Sequence, residues 1–272
     1  MRVIQSFACV VAACVLSAPA SAADESAWSQ DSRAAVRLLA GANTVAAAPL
    51  RAGIEIKLQP GWKTYWRYPG DSGVPPRFDF SGSSNLKSAR VFYPAPHLFA
   101  DDGEKTLGYK DTVIFPLRVT PAQADKPVTL RVKIDYAVCE KLCIPAEGGA
   151  ELTLQHATSS HEGELAAAEA QVPQPISADA VGLTAKRVNK AAKPLVDVEL
   201  KSAEPVEVFV EGPTAEWALP IPTPAQGAPA GFRAFGFELD GLPPGVDPKG
   251  PFELTFTIVG GGRALEVKTR LD

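Results

Sequence analysis

Apolar and polar residues alternate in short runs along most of the chain. From Arg51 to Leu58, Ile54, Ile56 and Leu58 fall on one face and Glu55 and Lys57 on the other. That period of two predicts a half-buried strand. Gln59-Pro60-Gly61 predicts a turn, and Trp62 to Tyr68 an aromatic strand after it. Pro69-Gly70-Asp71-Ser72-Gly73 breaks the chain again, and Pro75-Pro76 prolongs the break. Leu86–Tyr93, Thr112–Val119 and Val128–Ala137 are further strands; in the last, Leu130, Val132, Ile134 and Tyr136 share a face. Leu152 and Leu154 mark a closing strand. Strands spaced by roughly 8–12 residues with turns between them predict a β-sandwich from Ala34 to about Leu154.

Residues 156–179 change character. Gly163 to Gln171 is rich in Ala and Glu and reads as a short helix, ended by Pro173 and Pro175. The segment reads as a linker, with a helix packed on one sandwich as the alternative. Strand patterning resumes at Ala180, with candidates at Leu183–Val188, Leu195–Leu200, Val206–Val210, Phe232–Leu239, Phe252–Val259 and Ala264–Leu271. Ala218 to Gly231 is rich in Pro and small residues and reads as a long loop. Six or seven short strands in roughly 90 residues suit a second small sandwich. The expected organisation is therefore residues 1–22 as a leader, 23–155 as a first sandwich, 156–179 as the linker and 180–272 as a second sandwich. No repeat links the two halves residue by residue.

Composition supports a folded chain. Of 272 residues, 46% are hydrophobic and 21% charged, which argues against disorder. The net charge of −4 is a poor match for nucleic-acid binding, which needs a basic footprint. The high Gly and Pro content, 22 and 25 residues, suits many strands joined by turns.

The first residues read as an export signal. Arg2 supplies the positive start, Val3 to Leu16 form an apolar run, and Ala20-Ser21-Ala22 is a small-x-small cleavage site. The run falls short of the roughly 18–20 apolar residues needed to span a bilayer. Val11-Ala12-Ala13-Cys14 offers a competing lipoprotein reading with Cys14 acylated. Cleavage near Ala23 removes Cys9 and Cys14 and leaves two cysteines, Cys139 and Cys143. An exported chain with one such pair sits where disulfides form and persist.

Those cysteines stand in Tyr136-Ala137-Val138-Cys139-Glu140-Lys141-Leu142-Cys143-Ile144-Pro145, with three residues between them, at a strand edge. A tight turn there brings Cα atoms within disulfide range. Closing a five-residue ring is worth about 2 kcal/mol by loop entropy, against about 4.7 for a 100-residue loop. Two sandwich cores do not need so weak a staple. A reversible dithiol accounts for the small ring better than a structural bridge does. A closed zinc site wants four Cys or His ligands. His97, His156 and His161 show no spacing tied to the pair, so no metal site is assigned. Two thiolates still suit Cu(I), which keeps a copper-handling protein open.

Other chemistry is thin. The sequence has no G-x-S-x-G, no H-E-x-x-H and no phosphate-binding glycine loop. No cofactor is expected. Trp62, Tyr65, Trp66 and Tyr68 invite a carbohydrate- or peptide-binding reading, but strand residues shared between core and surface account for them.

Three stretches together carry a family resemblance. They are Gln59 through Pro76, Leu107-Gly108-Tyr109-Lys110, and Asp135 through Ala146 with both cysteines. Over roughly Ala34 to Leu154 the chain resembles the N-terminal periplasmic region of DsbD/ScsB thiol:disulfide interchange proteins. The ScsB type carries a second β region, which answers to residues 180–272. The resemblance implies an all-β fold of two immunoglobulin-like sandwiches in tandem, with a redox pair at one end of the first. It implies exchange with periplasmic thioredoxin-like or disulfide isomerase-like proteins. It also implies a cap loop over the cysteines, falling at Phe99 to Leu107, with Asp101 and Asp102 near the thiols and Tyr109 and Tyr136 beside them. By the same resemblance Cys143 takes the partner's attack and Cys139 resolves the mixed disulfide. The spacing of the pair is closer to the ScsB type than to the wider DsbD type. The sequence has neither the family's membrane part nor its thioredoxin-like part, so a separate membrane electron donor is expected. Glu140 and the two Asp residues should raise the thiol pKa values and Lys141 should lower them, giving a pair that is sluggish without a docked partner. A binding module with a static disulfide is the competing reading.

Overall fold

Period-two segments become strands in the computed structural model, which describes residues 23–31, 33–44, 49–101, 103–188 and 193–272. Residues 1–22, expected as a leader and holding Cys9 and Cys14, lie outside those residues, as does Asp102; of Asp101 only the backbone is described. The first half runs through β1 (Ser29–Gln30), β2 (Ala34–Ala40), β3 (Leu50–Leu58), β4 (Lys63–Gly70), β5 (Arg77–Asp79) and β6 (Leu86–Val91). It continues through β7 (His97–Asp101), β8 (Glu104–Lys110), β9 (Thr112–Pro121), β10 (Val128–Cys139) and β11 (Cys143–Leu154). After α1 (Glu162–Ala170) come β12 (Gln174–Ser177), α2 (Ala178–Val181), β13 (Thr184–Val188), β14 (Leu195–Lys201) and β15 (Glu207–Glu211). The chain closes with β16 (Thr223–Ala225), β17 (Phe232–Glu238), β18 (Phe252–Gly260) and β19 (Arg263–Leu271).

The chain is all-β apart from these short helices, in immunoglobulin-like sandwiches. One sheet of the first half has the order β1-β2-β3-β9-β6 and the other β11-β10-β4-β8-β7, with β5 paired to β10. The alternating residues of β3 and β10 meet between them: Ile54, Ile56, Leu130, Val132 and Ile134 all enter one buried cluster with Trp66 and Phe115. The second half stacks the sheets β12-β19-β18-β15 and β13-β14-β17-β16 over a separate core of Val196, Val198, Phe235, Phe237, Phe256 and Val267.

Eight elements have no counterpart in the sequence reading: β1, β2, β5, β7, β8, β12, α2 and β16. His97 to Lys110 forms a hairpin, β7–β8, though its sequence does not alternate. β11 begins at Cys143 rather than near Leu152, and its twelve rungs on β10 run from Cys139↔Cys143 to Val128↔Leu154. Gln174–Ser177, in the segment read as linker, adds to β19 in parallel, and Thr223–Ala225, in the long loop, adds to β17. Both of these short strands contain a proline and lie at sheet edges, where a missing N–H is tolerated.

The helix expected at 163–171 is α1, and it lies on the first sandwich with Leu165 and Ala168 buried. Arg51 reaches Glu162 at 2.5 Å and Glu169 at 3.0 Å, and Arg118 reaches Glu169 at 2.7 Å. The Arg51 bond holds the Glu162 carboxyl below its ordinary pKa. Burial pushes Glu169 the other way, yet Arg51 and Arg118 bring it down as well. Among the described residues no helix is long and apolar enough to cross a membrane.

The two halves touch through β4. Phe209 and Ile221 of the second half enter the core of the first. The Trp66 and Phe209 rings lie 6.1 Å apart, and the Tyr68 hydroxyl donates to the Leu219 carbonyl.

Candidate redox site

The cysteines close a hairpin. Cys139 is the last residue of β10 and Cys143 the first of β11; they pair across the final rung with Cα atoms 4.2 Å apart and are joined as a disulfide. β4 runs along the other side of β10, with Cys139 opposite Lys63 and Val138 opposite Thr64. β8 follows, with Lys110 opposite Lys63 and Gly108 opposite Tyr65. One row across the sheet therefore reads Cys143, Cys139, Lys63, Lys110. The Thr64 hydroxyl ties β4 to β10 by donating to the Ala137 carbonyl at 2.9 Å.

The two sulfurs differ in access. Cys139 is 2% exposed and packs with Tyr65 and Ala137, whereas Cys143 is exposed. The turn between them raises Leu142, 78% exposed, and Ile144 follows at 37%. The Tyr65 hydroxyl lies 2.8 Å from Cys139 Sγ and 3.0 Å from Cys143 Sγ. Disulfide sulfurs carry no hydrogen, so the phenol is the donor. Burial, with Glu104 nearby, raises the Tyr65 pKa, which keeps the phenol protonated at neutral pH. Gly73 closes over the Tyr65 ring at φ +121°, and a Cβ there would lie 2.3 Å from a ring carbon. Only glycine meets both demands.

The pair opens on a cleft of about 710 Å³ lined by Lys63, Tyr65, Glu104, Lys110, Glu140 and Lys141, among others. Lys63 is buried and donates to the Thr106 hydroxyl at 3.1 Å. Its Nζ lies 5.4 Å from the Phe99 ring centre and Lys110 Nζ lies 4.6 Å from it. These cation–π contacts seat the β7–β8 hairpin beside the cysteine row. Among the described residues no group of three or more His, Cys, Asp or Glu is arranged to hold a metal.

The structure brings together some of the expected site residues and not others. Cys139, Cys143 and the hairpin bearing Phe99 gather at the cleft. Tyr109 and Tyr136 point into the core instead, and the Tyr109 hydroxyl donates to the Pro94 carbonyl at 2.8 Å. Alternation explains both, because each lies at a position whose side chain turns away from the cysteine face. The Asp101 side chain and all of Asp102 lie outside the described residues. Tyr65 is the residue that sequence reasoning missed. Its signal was present in the alternation of β4, where Trp66 and Tyr68 enter the core and Tyr65 does not.

Residues 35–155 match the family model for the thiol:disulfide interchange protein DsbD, N-terminal. This region belongs to that family. The DsbD N-terminal region thus coincides with the sandwich that carries the disulfide. The crystal structure of the N-terminal periplasmic domain of ScsB from Proteus mirabilis aligns with a TM-score of 0.70 at 20% identity, over 92% of this chain and 99% of that one. The likeness extends the shared fold beyond the DsbD N-terminal region into the second half. A marsupial T cell receptor covers 85% of this chain and 98% of its own at 12% identity, but its TM-score is 0.22. No curated protein matches the chain.

Proposed function

We propose that the chain is a periplasmic thiol:disulfide interchange protein that relays reducing equivalents through Cys139 and Cys143. The observation that carries this reading is the asymmetry of the pair: an exposed Cys143 joined to a buried Cys139 whose sulfur already faces a phenol donor. A static staple needs neither an open cleft nor a polar group aimed at its sulfurs. The DsbD N-terminal match and the periplasmic origin of the ScsB domain support the reading.

The exchange follows from the geometry. A partner thiolate attacks Cys143 Sγ in line with the disulfide. The partner–Cys143 bond forms, the Cys139–Cys143 bond breaks, and Cys139 leaves as a thiolate. The Tyr65 hydroxyl donates to that developing charge. The partner's second thiolate then attacks its own bridged sulfur and releases Cys143. Two electrons have passed to the pair and the partner is left as a disulfide. The reverse sequence reduces a downstream protein. Partners of this chemistry are thioredoxin-like or disulfide isomerase-like proteins with a paired dithiol, and a separate membrane protein as electron donor. The reading divides the mature chain into a redox sandwich up to residue 155, a connecting segment and a second sandwich from residue 180. The four sheets support a division at α1, since none draws strands from both sides of it, and β12 carries the first strand of the second sandwich back to Gln174.

Mixing the oxidised chain with one equivalent of a reduced thioredoxin-like protein tests the proposal. After acid quenching and thiol labelling, two thiols should appear on this chain as two vanish from the partner. A chain that stays oxidised while the partner keeps its thiols would leave the static binding module standing.

A further inference from the structure

We propose that Arg67 is a positioning residue for the Cys139–Cys143 pair, acting through Tyr65 and held in place by the second sandwich. The inference rests on the redox reading above and gives the second half a part in it. The ladder between β4 and β8 runs regularly from Lys63 to Tyr65 and then shifts, resuming only at Gly70. The rungs between β4 and β10 stop at Thr64. Tyr65 is thus the last residue of the regularly zippered part of β4. The direction of the strand beyond it, and with it the seat of the Tyr65 ring, must be fixed by something other than its own sheet.

The second half supplies that fixing. Arg67 Nε lies 2.9 and 3.1 Å from the two Glu211 oxygens, and Nη2 lies 2.7 Å from Glu211 and 2.6 Å from Glu266. Glu211 ends β15 and Glu266 lies in β19, so both carboxylates come from the second sandwich. The guanidinium also sits over the Trp66 ring, 4.7 Å from its centre. One residue on, Tyr68 donates to Leu219, and Ile221 lies against Gly70. The chain then turns back. Asp71 exchanges hydrogen bonds with Lys105, at 2.9 Å in each direction, and Gly73 comes down on the Tyr65 ring. Tyr65 is therefore clamped between the disulfide and a loop whose stem the second sandwich grips.

Burial works against the Arg67 charge, but the Glu211 and Glu266 bonds keep it protonated, raising its pKa above the ordinary value. Burial raises the Glu211 carboxyl, with Arg67 offsetting part of the rise and Glu266 adding to it. Without Arg67 these two carboxylates are left facing each other, and the clamp opens.

A double-mutant cycle in the full chain separates this role from plain adhesion between the halves. The rate of reduction by dithiothreitol is measured for wild type, Arg67→Met, Tyr65→Phe and the double variant. A hydrogen bond to a developing thiolate is worth about tenfold in rate, so Tyr65→Phe should slow reduction by about that factor. Arg67→Met should approach the same loss, and adding it to Tyr65→Phe should change nothing further. Arg67→Met with the wild-type rate, or with the same slowing in the Tyr65→Phe background, would overturn the proposal. If Arg67→Met does not fold, Glu266→Gln leaves the Glu211 bonds in place and is read in the same cycle. Dithiothreitol reduces static and exchanging disulfides alike, so the cycle decides the positioning whatever a thioredoxin-like partner does, and the two readings fail separately.

Discussion

Cys143→Ser abolishes thiol exchange with a protein partner, whereas Cys139→Ser leaves a chain that stalls as a mixed disulfide through Cys143. The contrast follows from access. Cys143 opens the β11 arm and is exposed, beside an uncovered Leu142, so a partner thiolate reaches its sulfur along the disulfide axis. Cys139 is 2% exposed behind Tyr65 and Ala137 and can act only from inside, on a bond already formed at Cys143. Non-reducing gels read the outcome directly after each variant, reduced, is mixed with a thioredoxin-like protein whose single attacking cysteine is activated as a mixed disulfide with thionitrobenzoate; the Cys143 thiolate displaces thionitrobenzoate and keeps the partner. A stable adduct on Cys143→Ser, formed through Cys139, would reverse the assignment of the two sulfurs.

The largest effect on stability falls at Trp66. Its side chain is wholly buried in the first core and meets the Phe209 ring of the second half at a tilt of 60°. Among the described residues its Nε1 has no hydrogen-bond partner, so removing the ring sacrifices packing, including the face under the Arg67 guanidinium, and no hydrogen bond. Trp66→Ala should destabilise the chain by about 3–5 kcal/mol, the usual range for emptying a large aromatic site. The midpoint of urea denaturation should drop while the slope holds, because the surface exposed on unfolding is unchanged. A loss under about 1 kcal/mol would mean that neighbouring side chains collapse into the space and that the contact between the halves is loosely packed.

What was legible in the sequence was whatever rested on local alternation. Ile54, Ile56 and Leu58 announce β3, and Leu130 to Tyr136 announce β10, because each strand has one face in the core. The β7–β8 hairpin was hidden, since Lys, Glu, Asp and Gly interrupt any period and the hairpin is held by β4 and by two ammonium groups on Phe99. The start of β11 was hidden for a related reason: Glu147-Gly148-Gly149 carries no apolar face, and pairing to β10 makes it a strand. At the site, the spacing and setting of the cysteines gave away the chemistry but not the neighbours. The family resemblance placed Tyr109 and Tyr136 beside the pair, and the pleat turns both away. Tyr65 is 74 residues from Cys139 and meets it only through a β4–β10 register that no local pattern encodes. The Arg67 clamp is farther out of reach, with its carboxylates 144 and 199 residues downstream.

The reduction potential of the Cys139–Cys143 pair tests the central claim most directly, by equilibration with glutathione buffers and trapping of free thiols. An exchange protein should titrate between about −180 and −270 mV, among known thiol:disulfide oxidoreductases. A potential below about −300 mV is the range of structural disulfides and would contradict the relay.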